Sequence, residues 1–121
     1  MITIPGRPVP YVRTTQKAKY TQKSYLRYKN YKQFVQMQVR NQYKGAVLKG
    51  SIDIGINVFL TGKTTPMGND GDLDNYIKGI LDSLNKFVFL DDRQVVRISA
   101  TKQSDKNERV EIQFREVLDE S

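Results

Sequence analysis

The stretch SIDIGINVFLTGKTTPMGNDGDLDNYIKGILDSLN, residues 51–85, decides the fold, because its hydrophobic period changes partway along. In its first ten residues Ile52, Ile54, Ile56, Val58 and Leu60 alternate with Asp53, Gly55 and Asn57. A period of two sends the two sets to opposite faces of an extended chain, so 51–60 reads as a half-buried strand. Further on, Leu73, Ile77, Ile80, Leu81 and Leu84 recur at helical spacing, which predicts a helix from Leu73 to about Asn85. The segment between them, TGKTTPMGNDG, is rich in Gly, Thr and Pro and reads as a loop, long enough to move until something orders it.

Upstream of this unit, Ser24 to about Tyr43 has a helical pattern with Tyr28, Tyr31, Val35 and Val39 on one face; Lys29, Arg40 and Lys44 lie elsewhere on it. Before it, RPVPYVRTTQKAKYTQK reads as a polar, basic, extended arm, and Ile2 to Ile4 as a short strand closed by Pro5-Gly6. Downstream, FVFLDDRQVVRISATKQ gives an apolar run, an acidic turn and a strand from about Gln94 to Lys102. SDKNE is a turn, and RVEIQFREV alternates through Val110, Ile112 and Phe114, so the last two strands are expected to pair as a hairpin. The order β-α-β-α-β-β predicts one α+β domain over residues 1–121, with two helices packed on a small, mixed, mostly antiparallel sheet.

Composition narrows the chemistry. The 121 residues include no cysteine and no histidine, which excludes disulfides, cysteine zinc sites, imidazole ligands and every catalytic dyad built on histidine. The opening MITIPGRPVP lacks a signal-peptide pattern and no apolar run reaches membrane-spanning length, so a cytoplasmic protein with no membrane partner is the expectation. The net charge is +7, but residues 1–52 carry eleven Lys or Arg and no acid, so that half alone stands at +11. A half of that kind suits a polyanion such as nucleic acid, met through phosphate contacts. The tyrosines among the bases in KYTQKSYLRYKNYK fit either base stacking or the packing of a half-buried helix face.

Against that background, six of the thirteen acids fall in residues 69–96: Asp70, Asp72, Asp74, Asp82, Asp91 and Asp92. Helix capping at the start of 73–85 accounts for one or two of them. Crowded carboxylates otherwise call for a cation, and a hard divalent ion such as Mg²⁺ takes oxygen ligands from separate elements. An EF-hand reading fails, because its sixth and twelfth positions would be Asn75 and Leu81 rather than Gly and Glu. A metal-dependent phosphodiesterase fits better, since a bound ion supplies an activated water where no histidine base exists. Lys78, one turn past Asp74, would then neutralise the phosphate or the leaving oxygen; its bland alternative is an ion pair with Asp74 or Asp82 four residues away.

At this point GDLDNYIKGILDSLN and VFLDDRQVV together resemble the signature of the RusA family of Holliday junction resolvases. That pattern is DLDN-x-x-K, an acid four residues after the lysine, a helix end, and an apolar segment closing on DD-x-Q-[VI]. IPGRPVPYVR and the YTQK at Tyr20 resemble the N-terminal region of phage-type members, so a prophage setting belongs to the expectation. The resemblance implies metal-ligating, catalytic acids at Asp72, Asp74 and Asp92, with Lys78 as the catalytic lysine. Asp91 is the less favoured of its pair, and Asp82 matches a recurrent acid with no assigned role. It further implies an intertwined homodimer that uses Mg²⁺, or Mn²⁺, to cut two strands of a four-way DNA junction in recombination and repair. The alternative is a non-catalytic protein that only binds branched DNA. On the arm, Arg13, Lys17 and Lys19 are the expected DNA contacts.

Overall fold

The computed structural model describes residues 1–12, 22–62 and 71–118. Its elements run in the order strand β1 (Ile2–Pro5), helix α1 (Gln22–Gln42), strand β2 (Ser51–Leu60), helix α2 (Leu73–Leu84), strand β3 (Val95–Ser104) and strand β4 (Arg109–Val117). A 3-10 turn, Asp92–Gln94, leads into β3. The two helices and the four-stranded sheet expected from the periodicities are therefore present. Arg13, Lys17, Lys19 and Asp70 lie outside the described residues, as do 63–70 of the loop before α2.

The strand order is β1-β4-β2-β3, with β1–β4 and β2–β4 antiparallel and β2–β3 parallel. The sheet is thus mixed and mostly antiparallel, but the expected final hairpin does not form. β2 lies between β3 and β4, and the connection 105–108 passes its end. There the Asp105 N–H donates to the Leu60 carbonyl at 2.9 Å, ending β2 with a bond from the turn itself. The reason lies in β2, whose Ile52, Ile54, Ile56, Val58 and Leu60 are all essentially inaccessible. At ~2 kcal/mol for each such side chain, the best site for this strand is the centre, with hydrogen-bonded neighbours on both sides. β3, with Arg97, Thr101, Lys102 and Gln103, tolerates an edge. Its parallel pairing with β2 needs a long crossover, which α2 provides.

Both helices cover one face of the sheet. On α1, Tyr28, Val35 and Val39 are buried and Tyr31 and Phe34 pack against the same core. The tyrosines of α1 that share its apolar face are therefore packing residues, as the blander reading had it. On α2 the most deeply buried positions are Tyr76, Gly79, Ile80, Ser83 and Leu84, while Leu73, Ile77 and Leu81 are half-buried. The buried stripe is turned toward the small residues Gly79 and Ser83, which allow α1 to come close. The other face of the sheet is polar, with Arg115 paired to Asp53 at 3.2 Å and the Thr101 hydroxyl bonded to Asn57 at 2.7 Å. At the β1 edge, the Gln42 side chain accepts from the Thr3 N–H at 2.9 Å and donates to its carbonyl at 2.8 Å, occupying the place of a further strand.

After α2 the chain reverses within a few residues. Lys86 takes a left-handed φ of 73°, and the buried Val88 and Phe89 anchor the segment in the core. Leu48 meets this anchor, its N–H donating to the Val88 carbonyl at 2.8 Å. Asp91 and Asp92 are thereby delivered beside the sheet, just ahead of β3.

Candidate active site

The first part of the site is the mouth of α2. Gly71 arrives with φ 82°, and a Cβ there would stand 3.2 Å from the Tyr76 ring and 3.3 Å from Pro10. Only glycine lets the loop come in this tightly. Asp72 then occupies the N-cap position, its carbonyl accepting from the Asn75 and Tyr76 N–H groups at 3.1 and 3.3 Å. Its side chain, however, makes no capping hydrogen bond. Asp74 follows in the first turn, also exposed. Among the described residues, neither carboxylate has an ion-pair or hydrogen-bond partner. The capping explanation thus holds for the backbone of Asp72 and leaves both side chains unused.

Lys78 comes one turn later. It forms no ion pair with Asp74 or Asp82 among the described residues; its ammonium lies 4.6 Å from the centroid of the Tyr11 ring. Tyr11 meets the Tyr28 ring edge-on, with centroids 5.2 Å apart. The Tyr28 hydroxyl donates to Asp82 at 2.9 Å, and Lys32 approaches the same carboxylate oxygen at 3.0 Å. Burial, followed by the hydrogen bond and charge of Asp82, pushes the Tyr28 hydroxyl far above its ordinary pKa. Asp82 is therefore held by α1, and Lys78 is left to the arm. A cleft of about 430 Å³ opens beside this group, lined among others by Tyr25, Lys29 and Lys32.

The acidic turn is the third part. Asp91 caps it: its carboxylate accepts from the Arg93 N–H at 2.8 Å, and the Gln94 side chain accepts from the Asp91 N–H at 3.0 Å. That bond from Arg93 is the main reason the Asp91 carboxyl is held below its usual range; burial works against it, and Asp92 and the Arg93 charge add to the lowering. Asp92 goes the other way. Its carboxyl is raised first by burial, then by the hydrogen bond and charge of Asp91 and by the charge of Asp82, with Arg93 opposing. Asp91 is thus engaged in the turn, whereas Asp92 faces an accumulation of negative charge.

Gln94 is a residue whose role sequence reasoning left blank. Its amide nitrogen donates to the Leu48 and Gly50 carbonyls, both at 2.9 Å, and its oxygen accepts from the Leu90 and Asp91 N–H groups. The signal was present, since Asp followed three residues later by Gln is the spacing of a capping box. Tyr11 is the second such residue, and nothing in the arm's sequence distinguishes it.

Of the expected ligands, Asp72 and Asp74 come together on the first turn of α2, while Asp92 lies near enough to Asp82 to feel its charge. Among the described residues, no three acids are grouped closely enough to cage an ion. The donor chemistry nevertheless fits a hard divalent cation, because the exposed groups are all carboxylates and the sequence contains neither His nor Cys. Basic side chains border this surface: Arg7 and Arg27 line a cleft with Gly71 and Tyr76, and α1 contains no acid at all.

Comparison with known proteins bears on this arrangement. A family model described as "Endodeoxyribonuclease RusA" matches residues 5–115. The chain is also 46% identical over 46 residues to an "Uncharacterized protein YqaN" of Bacillus subtilis (strain 168). That stretch covers 38% of this chain and 32% of the relative, so the chain matches about a third of that protein's length.

Proposed function

The chain belongs to the RusA endodeoxyribonuclease family, and on that premise we propose that it is a divalent-metal-dependent nuclease that resolves Holliday junctions by paired strand cleavage in recombination and repair. The observation that carries this reading is the mouth of α2, where Asp72 and Asp74 are exposed and without described partners and Lys78 follows one turn later. Charges left unused by the fold, on a rigid helix, are what a phosphodiester-cleaving site requires.

Asp72, Asp74 and Asp92 would hold the ion, Mg²⁺ or Mn²⁺. When bound, it supplies charge neutralisation and an activated water. Lys78 presents its ammonium to the phosphate or the leaving oxygen, and the products carry 5′-phosphate and ligatable 3′-hydroxyl ends. The basic residues of α1 and the arm neutralise neighbouring phosphates and fix the register of the DNA.

Two such sites on one junction call for a second copy of the chain. Among the described residues β3 has no strand on its outer side, which supports a homodimer. Val96 is 63% and Ile98 45% exposed there, and Leu90 just ahead of the acidic turn is 54% exposed. Val96 is also the extra residue of a bulge, since Ile52 pairs with Val95 and Asp53 with Arg97. No described helix is long and apolar enough to cross a membrane, and a cytoplasmic enzyme acting on phage or prophage DNA fits the reading.

The test is to incubate the protein with labelled four-way junctions, flaps and linear duplex, with and without Mg²⁺. Paired, metal-dependent nicks in the four-way junction are expected. Tight binding with no cutting of any substrate would instead make it a branched-DNA-binding protein.

A further inference from the structure

Lys78 stands one helical turn from two carboxylates, Asp74 and Asp82, and an i,i+4 ion pair would be its default engagement. Three features work against that pair. Asp82 already accepts the Tyr28 hydroxyl at 2.9 Å and meets Lys32 at 3.0 Å. The Lys78 ammonium sits 4.6 Å from the centroid of the Tyr11 ring. And Tyr11 is itself fixed: its N–H donates to the Asn75 carbonyl at 3.0 Å, and its ring rests edge-on against Tyr28. Gly79 makes the crossing feasible, because a Cβ there would stand 3.2 Å from the Tyr28 ring and 3.5 Å from the Tyr11 nitrogen.

The two engagements differ in chemistry. A carboxylate partner neutralises an ammonium and takes up its donors. An aromatic face attracts the cation through the ring quadrupole and leaves the charge and the N–H donors available to a third group. We propose that Tyr11 is a positioning residue, whose ring holds Lys78 away from Asp82 and poised for the scissile phosphate. Tyr28 and Lys32 complete the device by occupying Asp82. This rests on the reading of Lys78 as the phosphate-neutralising group, and it assigns to Tyr11 and Asp82 roles that the motif spacing does not supply.

The experiment has two arms, chosen so that the contact and the nuclease reading can fail separately. In the first, the side-chain resonances of Lys78 are recorded by NMR on the full chain. Ring-current shifts of its ε-methylene protons are expected in the wild type and in Tyr11→Phe, and not in Tyr11→Leu. Unshifted resonances in the wild type would overturn the proposal, whatever the protein does to DNA. In the second arm, single-turnover cleavage of a four-way junction is measured at saturating protein, which removes binding from the rate. Tyr11→Leu is expected to slow cutting about tenfold, and Tyr11→Phe to restore it. In a Lys78→Ala background, Tyr11→Leu should cause no further loss. An undiminished rate in Tyr11→Leu, or an additive loss in the double variant, would refute the positioning role. If the wild type cuts nothing, the nuclease reading and the positioning role of Tyr11 in cleavage fall together, and the NMR arm alone decides the contact.

Discussion

The Gln94 amide nitrogen lies 2.9 Å from the Leu48 carbonyl oxygen, so the acidic turn is tied to the chain just ahead of β2. Together with the Gly50 carbonyl and the Leu90 and Asp91 N–H groups, this bond uses every hydrogen-bonding group of the Gln94 side chain. Gln94→Ala leaves those backbone groups without partners in a half-buried position. A loss of about 2 kcal/mol in urea unfolding is expected. Junction cleavage should fall with it, because Asp92 loses its support, while junction affinity changes little.

Asp72→Asn and Asp74→Asn preserve shape and remove charge. Neither carboxylate is engaged in the described fold, so thermal stability should move by less than about 1 kcal/mol, the scale of a helix-dipole interaction. Cleavage should drop by about a hundredfold or more, with junction binding retained in a gel-shift assay. Cutting at the wild-type rate by either variant would remove that residue from the mechanism.

DNA binding should weaken steeply with salt, since phosphate contacts release counterions. Lys23, Arg27 and Lys29 are exposed on α1, a helix without a single acid. If each meets one phosphate, replacing all three by Ala should reduce the slope of log K against log salt by about 2.7. Fluorescence anisotropy titrations at several salt concentrations measure it. An unchanged slope places the DNA on another surface.

Ile98→Lys should separate the proposed dimer into monomers on light scattering, because it sets a charge on the exposed edge of β3. Secondary structure by circular dichroism should be retained, as Ile98 is already 45% exposed in the single chain. A dimer that survives this change must use a different face.

Acid should loosen the β3–β4 connection. Asp105 accepts from the Asn107 N–H at 2.9 Å and meets Arg109 at 3.3 Å. The bond from Asn107 is the main cause that holds its carboxyl below the ordinary value; burial opposes it, and Arg109 assists. A depressed carboxyl stabilises the fold fully above its unfolded pKa, near about 3.9, and loses that effect as pH falls through the folded value. The difference in melting temperature between wild type and Asp105→Asn should therefore be present at neutral pH and close below about pH 4. A gap that persists in acid would show that the carboxylate charge is not its source.

What the sequence determined by itself was whatever depends on neighbours along the chain. The alternation in 51–60 and the helical spacing in 73–84 announced β2 and α2, because side-chain direction follows from local backbone geometry. The pairing of Asp72 and Asp74 on one turn, with Lys78 a turn later, was legible for the same reason. The crowding of acids in an otherwise basic chain singled out the candidate site before its geometry was known. Tertiary structure alone decided which partner each group took. The four residues 105–108 look like a hairpin turn, but the apolar β2 took the centre of the sheet and separated β3 from β4. Equally, spacing offered Lys78 either Asp74 or Asp82, and packing gave it the ring of Tyr11, more than sixty positions away in the chain. Pairings of that kind depend on the burial and shape of surfaces from distant segments, and no local period encodes them.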